Sequence, residues 1–207
     1  LIKINGMPMV IRTYKQCLKT ADNSLIYIAT DSKKIKKVCE QYGAQVIITS
    51  EKCLTGTDRV AEVARKIDSK IYINVQGDEP IFDPHDLKKL IRYGLKNPSA
   101  IVSGYCEINE ERMYNDLNVP KVVLDKENYL MYASRAPIPS NKKAKFISAN
   151  RQICAYSFPK ETLKIFSTFK KKTYLESIED IEYLRFLEVG IKIKCIKMSG
   201  KSLAVDN

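Results

Sequence analysis

Apolar residues fall along the chain in short blocks that alternate between two periods. Leu25-Ile26-Tyr27-Ile28-Ala29 is a continuous apolar run of strand length, and Val46-Ile47-Ile48 and Ile71-Tyr72-Ile73-Asn74-Val75 repeat that pattern. Between them the spacing turns helical. Ile35 and Val38 follow a capping Asp31 or Ser32 and stop at Gly43, while Val60, Val63, Ala64 and Ile67 follow Thr57-Asp58. Asp83-Pro84 then supplies an N-cap and a first-turn proline for a helix bearing Leu87, Leu90 and Ile91. This β-α-β-α-β-α order predicts a doubly wound α/β domain.

The alternation breaks after Pro98. Ile101-Val102, Val122-Val123-Leu124 and Tyr129 to Tyr132, with a turn at 125–128, predict paired strands and a hairpin. Ile153 to Phe158 returns to strand, two helices are expected over 159–169 and 177–189, and Ile191 to Met198 is a last strand. In the second helix Ile178, Ile181, Leu184 and Leu187 form the apolar stripe, and Gly190 is the stop. No internal repeat or separating linker appears, so a single domain is expected over residues 1–207.

Apolar runs such as Leu25–Ala29 are far too short to span a membrane, and the first residues lack a signal-peptide pattern, so a cytoplasmic protein is expected. The six cysteines form no C-x-x-C pair and read as reduced thiols. The one histidine, His85, excludes a His-pair zinc site. The net charge is +11, yet 27 of the 35 basic residues are lysines in solvated runs such as Lys33-Lys34, Lys36-Lys37 and Lys170-Lys171-Lys172. None interleaves with aromatics, so no nucleic-acid partner is expected.

Two polar clusters sit where an open α/β sheet binds ligands. Gln76-Gly77-Asp78-Glu79-Pro80 directly follows a strand; Asp78 could offer a hard oxygen to Mg²⁺, although the run is equally good turn chemistry. Thr55-Gly56-Thr57-Asp58-Arg59 opens a helix. Its free N–H groups, hydroxyls and arginine could receive a nucleotide, although the same residues make an ordinary N-cap. Gly200-Lys201-Ser202 imitates the end of a phosphate loop, but Cys195 stands where that motif needs glycine.

Together, Asn74-Val75-Gln76-Gly77-Asp78-Glu79-Pro80, Thr30-Asp31, Thr49-Ser50 and Gly56-Thr57-Asp58-Arg59 resemble the 3-deoxy-manno-octulosonate cytidylyltransferases. Lys121 to Asp125, Tyr132 to Pro139, Leu175-Glu176, Leu184-Arg185 and Gly190 to Ile193 continue the resemblance in order along almost the whole chain. It implies a Rossmann-like, three-layer nucleotidyltransferase fold with a mixed, mostly parallel sheet and a hairpin excursion. It also implies a dimeric enzyme that uses Mg²⁺ to couple CTP to an acidic eight-carbon sugar, releasing pyrophosphate and activating the sugar for bacterial surface polysaccharide.

By the same resemblance, Asp78 and Asp206 are the metal carboxylates. Gly56, Thr57, Asp58, Arg59 and Gln76 belong to the nucleotide side, and Gln76 also borders the acceptor sugar with Arg135, Gln152, Tyr156 and Glu176. Gln152, Cys154 and Tyr183 depart from the usual His, Gly and Gln of the family, which leaves open another 3-deoxy-ulosonic acid, such as an amino variant, as acceptor. The family's first strand, its phosphate loop and its C-terminal helix are expected outside the sequence given, and a lapsed, nucleotide-binding homologue is the remaining alternative.

Overall fold

Asn5 and Gly6 both take left-handed φ, +48° and +77°, the twist that joins two strands through a two-residue turn. They pair β1 (Lys3–Ile4) with β2 (Met7–Pro8), and α1 (Met9–Cys17) starts at once from Pro8. In this computed structural model, which describes residues 1–202, the expected alternation then follows. The elements are β3 (Tyr27–Thr30), α2 (Lys33–Gln41), β4 (Gln45–Ile48), α3 (Gly56–Lys66), β5 (Ile71–Val75) and α4 (Pro84–Lys96). Ser32, Thr55 and Asp83 cap α2, α3 and α4 with their side chains, and Gly43 turns the chain after α2 at φ +76°.

The second half comprises β6 (Ile101–Ile108), α5 (Glu111–Asn115), β7 (Lys121–Leu124), β8 (Leu130–Ser134), β9 (Ala149–Pro159), α6 (Lys160–Phe166), α7 (Tyr174–Glu179), α8 (Leu184–Glu188) and β10 (Ile193–Lys197). Its centre is β9. One side of β9 is antiparallel to β6; the other gives residues 155–159 to β5 and 150–151 to β7. β10 lies parallel to β6 and β8 closes a hairpin with β7, so β5, β6, β7 and β10 run one way and β8 and β9 the other. The sheet is mixed, as expected, but only the β10–β6 ladder in it is parallel, because β9 runs against its three neighbours and β8 turns back on β7. β3 and β4 form a separate parallel pair.

The single helix expected over 177–189 is two short ones. Asp180 takes a left-handed conformation (φ +52°) and ends α7, and residues 180–183 turn the chain before α8 begins. The strand expected over 25–29 starts two residues later, because Asp22 caps a 3₁₀ turn at Asn23–Leu25. The short helices α1 and α5 were not apparent in the apolar pattern.

Side chains on the sheet alternate between two helix layers. Tyr72, Tyr156 and Phe158 pack with Ala61 and Ala64 of α3, Leu163 and Phe166 of α6, and Leu184 and Phe186 of α8. Ile73, Val75, Ile153 and Ala155 face Leu87 and Leu90 of α4 on the other side. Gly94 lets α4 lie against β9, since a Cβ there would stand 2.3 Å from Ser157 Oγ.

Candidate active site

Asn74 lies opposite Tyr156 in the β5–β9 ladder, so their side chains share a face, and Gln76 continues that face beyond the end of β5. The neighbouring strand is irregular here. Ser103 of β6 pairs with Tyr156 but Gly104 pairs with Ile153, so Cys154 and Ala155 bulge where β5 ends. The Gln76 N–H reaches the Cys154 carbonyl at 3.5 Å, and Gln152 donates its amide to the Tyr156 hydroxyl at 2.5 Å. Desolvation pushes the Cys154 thiol far above its ordinary range, and the carboxylates of Glu79, Asp78 and Glu182 push it further.

The loop after β5 is held from both sides. Thr13 of α1 donates to the Gly77 carbonyl at 3.0 Å, and the Glu79 N–H turns back to the Gln76 carbonyl at 3.2 Å. Asp78 is half-buried and Glu79 is buried. Asp206, its expected metal partner, lies outside the described residues. Among the described residues no group of three or more His, Cys, Asp and Glu is placed to hold a metal. A single carboxylate such as Asp78 suits Mg²⁺, an ion that keeps water or phosphate oxygens among its ligands.

Opposite Gln76 stands the N-terminus of α3. The buried Thr57 gives its N–H to Glu182 Oε2 at 2.9 Å, and Gln76 gives its amide to Glu182 Oε1 at 3.3 Å. Burial raises the Glu182 carboxyl above the usual carboxylate range, against the pull of donors from Thr57, Thr55 and Gln76. Arg59 donates to Thr49 Oγ1 at 2.5 Å and to Asp31 Oδ2 at 2.9 Å, tying the ends of β3 and β4 to α3. Gly56 faces the Glu182 carboxylate, which would lie 3.6 Å from a Cβ at that position.

Three of the expected residues are committed within the protein. Asp58 accepts from Arg185 Nη1 at 2.8 Å, and the fully buried Glu176 accepts from Arg185 Nη2 and Nε at 2.6 and 2.7 Å. Arg135 spends Nε, Nη1 and Nη2 on the carbonyls of Glu179, Leu117 and Asp180 at 2.6, 3.0 and 3.2 Å. Its own carbonyl accepts from Lys121, a fully buried ammonium that also donates to the Asp116 carbonyl. The structure thus joins Gln76 and Thr57 through Glu182, pairs the buried Gln152 with Tyr156, and puts Arg135 in a separate network with Glu179.

Glu182 and Arg185 were missed from sequence because the helical reading of 177–189 made them interchangeable polar positions beside the apolar stripe. A fuller use of Leu184-Arg185 would have found the second.

A family model described as cytidylyltransferase matches residues 1–193. A 3-deoxy-manno-octulosonate cytidylyltransferase of Chloroherpeton thalassium is 38% identical over all of this chain and 85% of its own length. One from Francisella philomiragia is 40% identical over 97% of this chain and 83% of its own. Among solved structures, a CMP:2-keto-3-deoxy-manno-octonic acid synthetase complexed with CTP superposes at a TM-score of 0.90, with 28% identity, over all of this chain and 86% of that one. A 4-diphosphocytidyl-2C-methyl-D-erythritol synthase from Anaerococcus prevotii, 14% identical, covers all of this chain and 86% of its own at a TM-score of 0.61, and shows the shared fold.

Proposed function

The chain belongs to the cytidylyltransferase family, as a relative of the 3-deoxy-manno-octulosonate cytidylyltransferases, and from that premise we propose that it transfers CMP from CTP to 3-deoxy-manno-octulosonate with release of pyrophosphate. The product would be an activated sugar for bacterial lipopolysaccharide or capsule. The observation that carries the proposal is the coincidence of full-length similarity to those enzymes with a polar face, Gln76 to Glu182, beyond the end of β5.

In the proposed reaction the anomeric hydroxyl of the sugar attacks the α-phosphorus of CTP in line, its proton is lost, and the bond to pyrophosphate breaks. Asp78, with Asp206, is assigned to Mg²⁺, which when bound neutralises triphosphate charge and makes the attacking hydroxyl more acidic. The first turn of α3, Gly56 to Arg59, supplies the nucleotide side together with Gln76. Gln152 and Tyr156 are assigned to the acceptor through an amide and a phenol, and Arg135, whose fork is held by the carbonyls of Glu179, Leu117 and Asp180, is assigned to the network that supports the acceptor side. Glu176 and Asp58 support this site through Arg185 rather than by reaching a ligand.

Among the described residues no helix is long and apolar enough to cross a membrane. A CTP-dependent reaction and six free thiols suit the cytoplasm. The homodimer is assigned to the hairpin side, where Leu117, Met131 and Ile147 stand exposed, and sedimentation would test it.

The experiment is pyrophosphate release with each nucleoside triphosphate and a panel of 3-deoxy-ulosonic acids, with and without Mg²⁺. Turnover with CTP, the octulosonate and Mg²⁺ is expected. Equal use of ATP would remove the nucleotide assignment, and turnover only with an amino sugar would move the acceptor. Asp78→Asn is expected to lose on the order of a hundredfold in rate while staying folded; wild-type turnover would take Asp78 out of the site.

A further inference from the structure

Three helix ends meet at one buried guanidinium. Asp58 is in the first turn of α3 and Glu176 in the first turn of α7, both at positive helix ends, and Arg185 is the second residue of the five-residue α8. The guanidinium forks onto both Glu176 oxygens, reaches Asp58 at 2.8 Å and lies 3.7 Å over the ring of Phe166. Lysine could not make this planar set of contacts. Glu182, three residues before Arg185, holds Thr57 and Gln76. The first turn of α3 is therefore bound to the α7–α8 segment at two adjacent residues, Thr57 through Glu182 and Asp58 through Arg185.

We propose that Arg185 is a positioning residue of the transferase site: by fixing Asp58 and Glu176 it sets where Glu182 stands between the first turn of α3 and Gln76. The inference rests on that cleft being the place of cytidylyl transfer. A buried ion cluster gives little net stability compared with apolar packing of the same volume, and what this one supplies is geometry. The geometry it sets is specific. If Asp58 were released, α3 would keep its Thr55 cap, but the Thr57 N–H and the Glu182 carboxylate would lose the second contact that holds them in register.

The test is a double-mutant cycle on the full chain, read as pyrophosphate release with CTP and the acid sugar, with each variant assayed below its own Tm. Arg185→Lys keeps the charge and removes the fork. It is expected to lower kcat/KM by about tenfold or more, with the acceptor KM rising. In the Glu182→Gln background the same change should cost less than about twofold, because both residues act through one contact. Losses that simply multiply would overturn the proposal, as would a variant whose Tm falls while kcat and both KM values stay unchanged. Should Arg185→Lys fail to fold, Glu176→Gln takes its place in the same cycle. Wild-type protein without CTP-dependent pyrophosphate release would refute the transferase reading itself, whereas multiplying losses on an active enzyme would refute only the role of Arg185.

Discussion

In the β3–β4 half, α1 and α2 close over a small core of Ile11, Tyr14, Cys39 and Ala44. In the β9 half, Tyr156, Phe158, Phe166, Tyr183 and Phe186 stack in a chain of rings, each within 6 Å of a neighbour. The charges differ in the same way. The first half has exposed pairs along a single helix, such as Lys36–Glu40 at 3.6 Å, whereas the second buries Lys121, Glu176 and Arg185 completely. The Gln76–Glu182–Thr57 network stands at the end of β5, against the first turn of α3. The contrast between the halves predicts cooperative unfolding of the β9 half and separate opening of the β3–β4 half.

The largest effect that could break the contrast comes from the ring chain. Phe186→Ala should cost about 3–5 kcal/mol in denaturant titration and raise amide exchange across β6, β9 and β10 together. Ile11→Ala should raise it only in α1, α2, β3 and β4, and a global response there would erase the distinction. Next, Glu179 collects Tyr132, Ser134 and the Arg135 N–H at 3.2, 2.7 and 2.9 Å. Burial raises its carboxyl, but those donors outweigh it and hold it below the ordinary value.

A depressed carboxylate stabilises the fold above its unfolded pKa of about 4.3, and that contribution is lost as pH falls through the lower folded value. Glu179→Gln should therefore cost about 2 kcal/mol at pH 7, with the gap to wild type closing on acidification, as Tm against pH would show. Thr55→Ala removes the cap of α3, which packs on the β9 half, and should cost about 1 kcal/mol. The smallest effect is Glu40→Gln, less than about 0.5 kcal/mol, since the pair is exposed.

The β3-to-α4 alternation was legible because each element there carries its own signal: an apolar run, a side-chain cap, or the glycine after α2. Thr55, Asp83 and Gly43 act locally, and local chemistry is written locally. The break at Asp180 was not legible, because the apolar spacing from Ile178 to Leu187 passes through it unchanged and an aspartate in left-handed conformation leaves no periodic trace. The site was legible in part for the same reason. Asp78, Gln76 and the α3 turn carry recognisable short motifs, whereas Glu182 and Arg185 gain their meaning only when residues more than a hundred positions away arrive beside them.

The two-residue slip between Ser103 and Gly104 bears on how the two ends of β9 are coupled. One flank of β9 serves two clients, β5 beside the proposed nucleotide side and β7 in the hairpin, and the slip lies between the two stretches. It separates two registers along one strand, the β7 pairing at residues 150–151 and the Asn74–Tyr156 pairing beyond it. The hairpin end of β9 and the end that pairs with β5 are thus geometrically uncoupled, so a change of register at one need not displace the other.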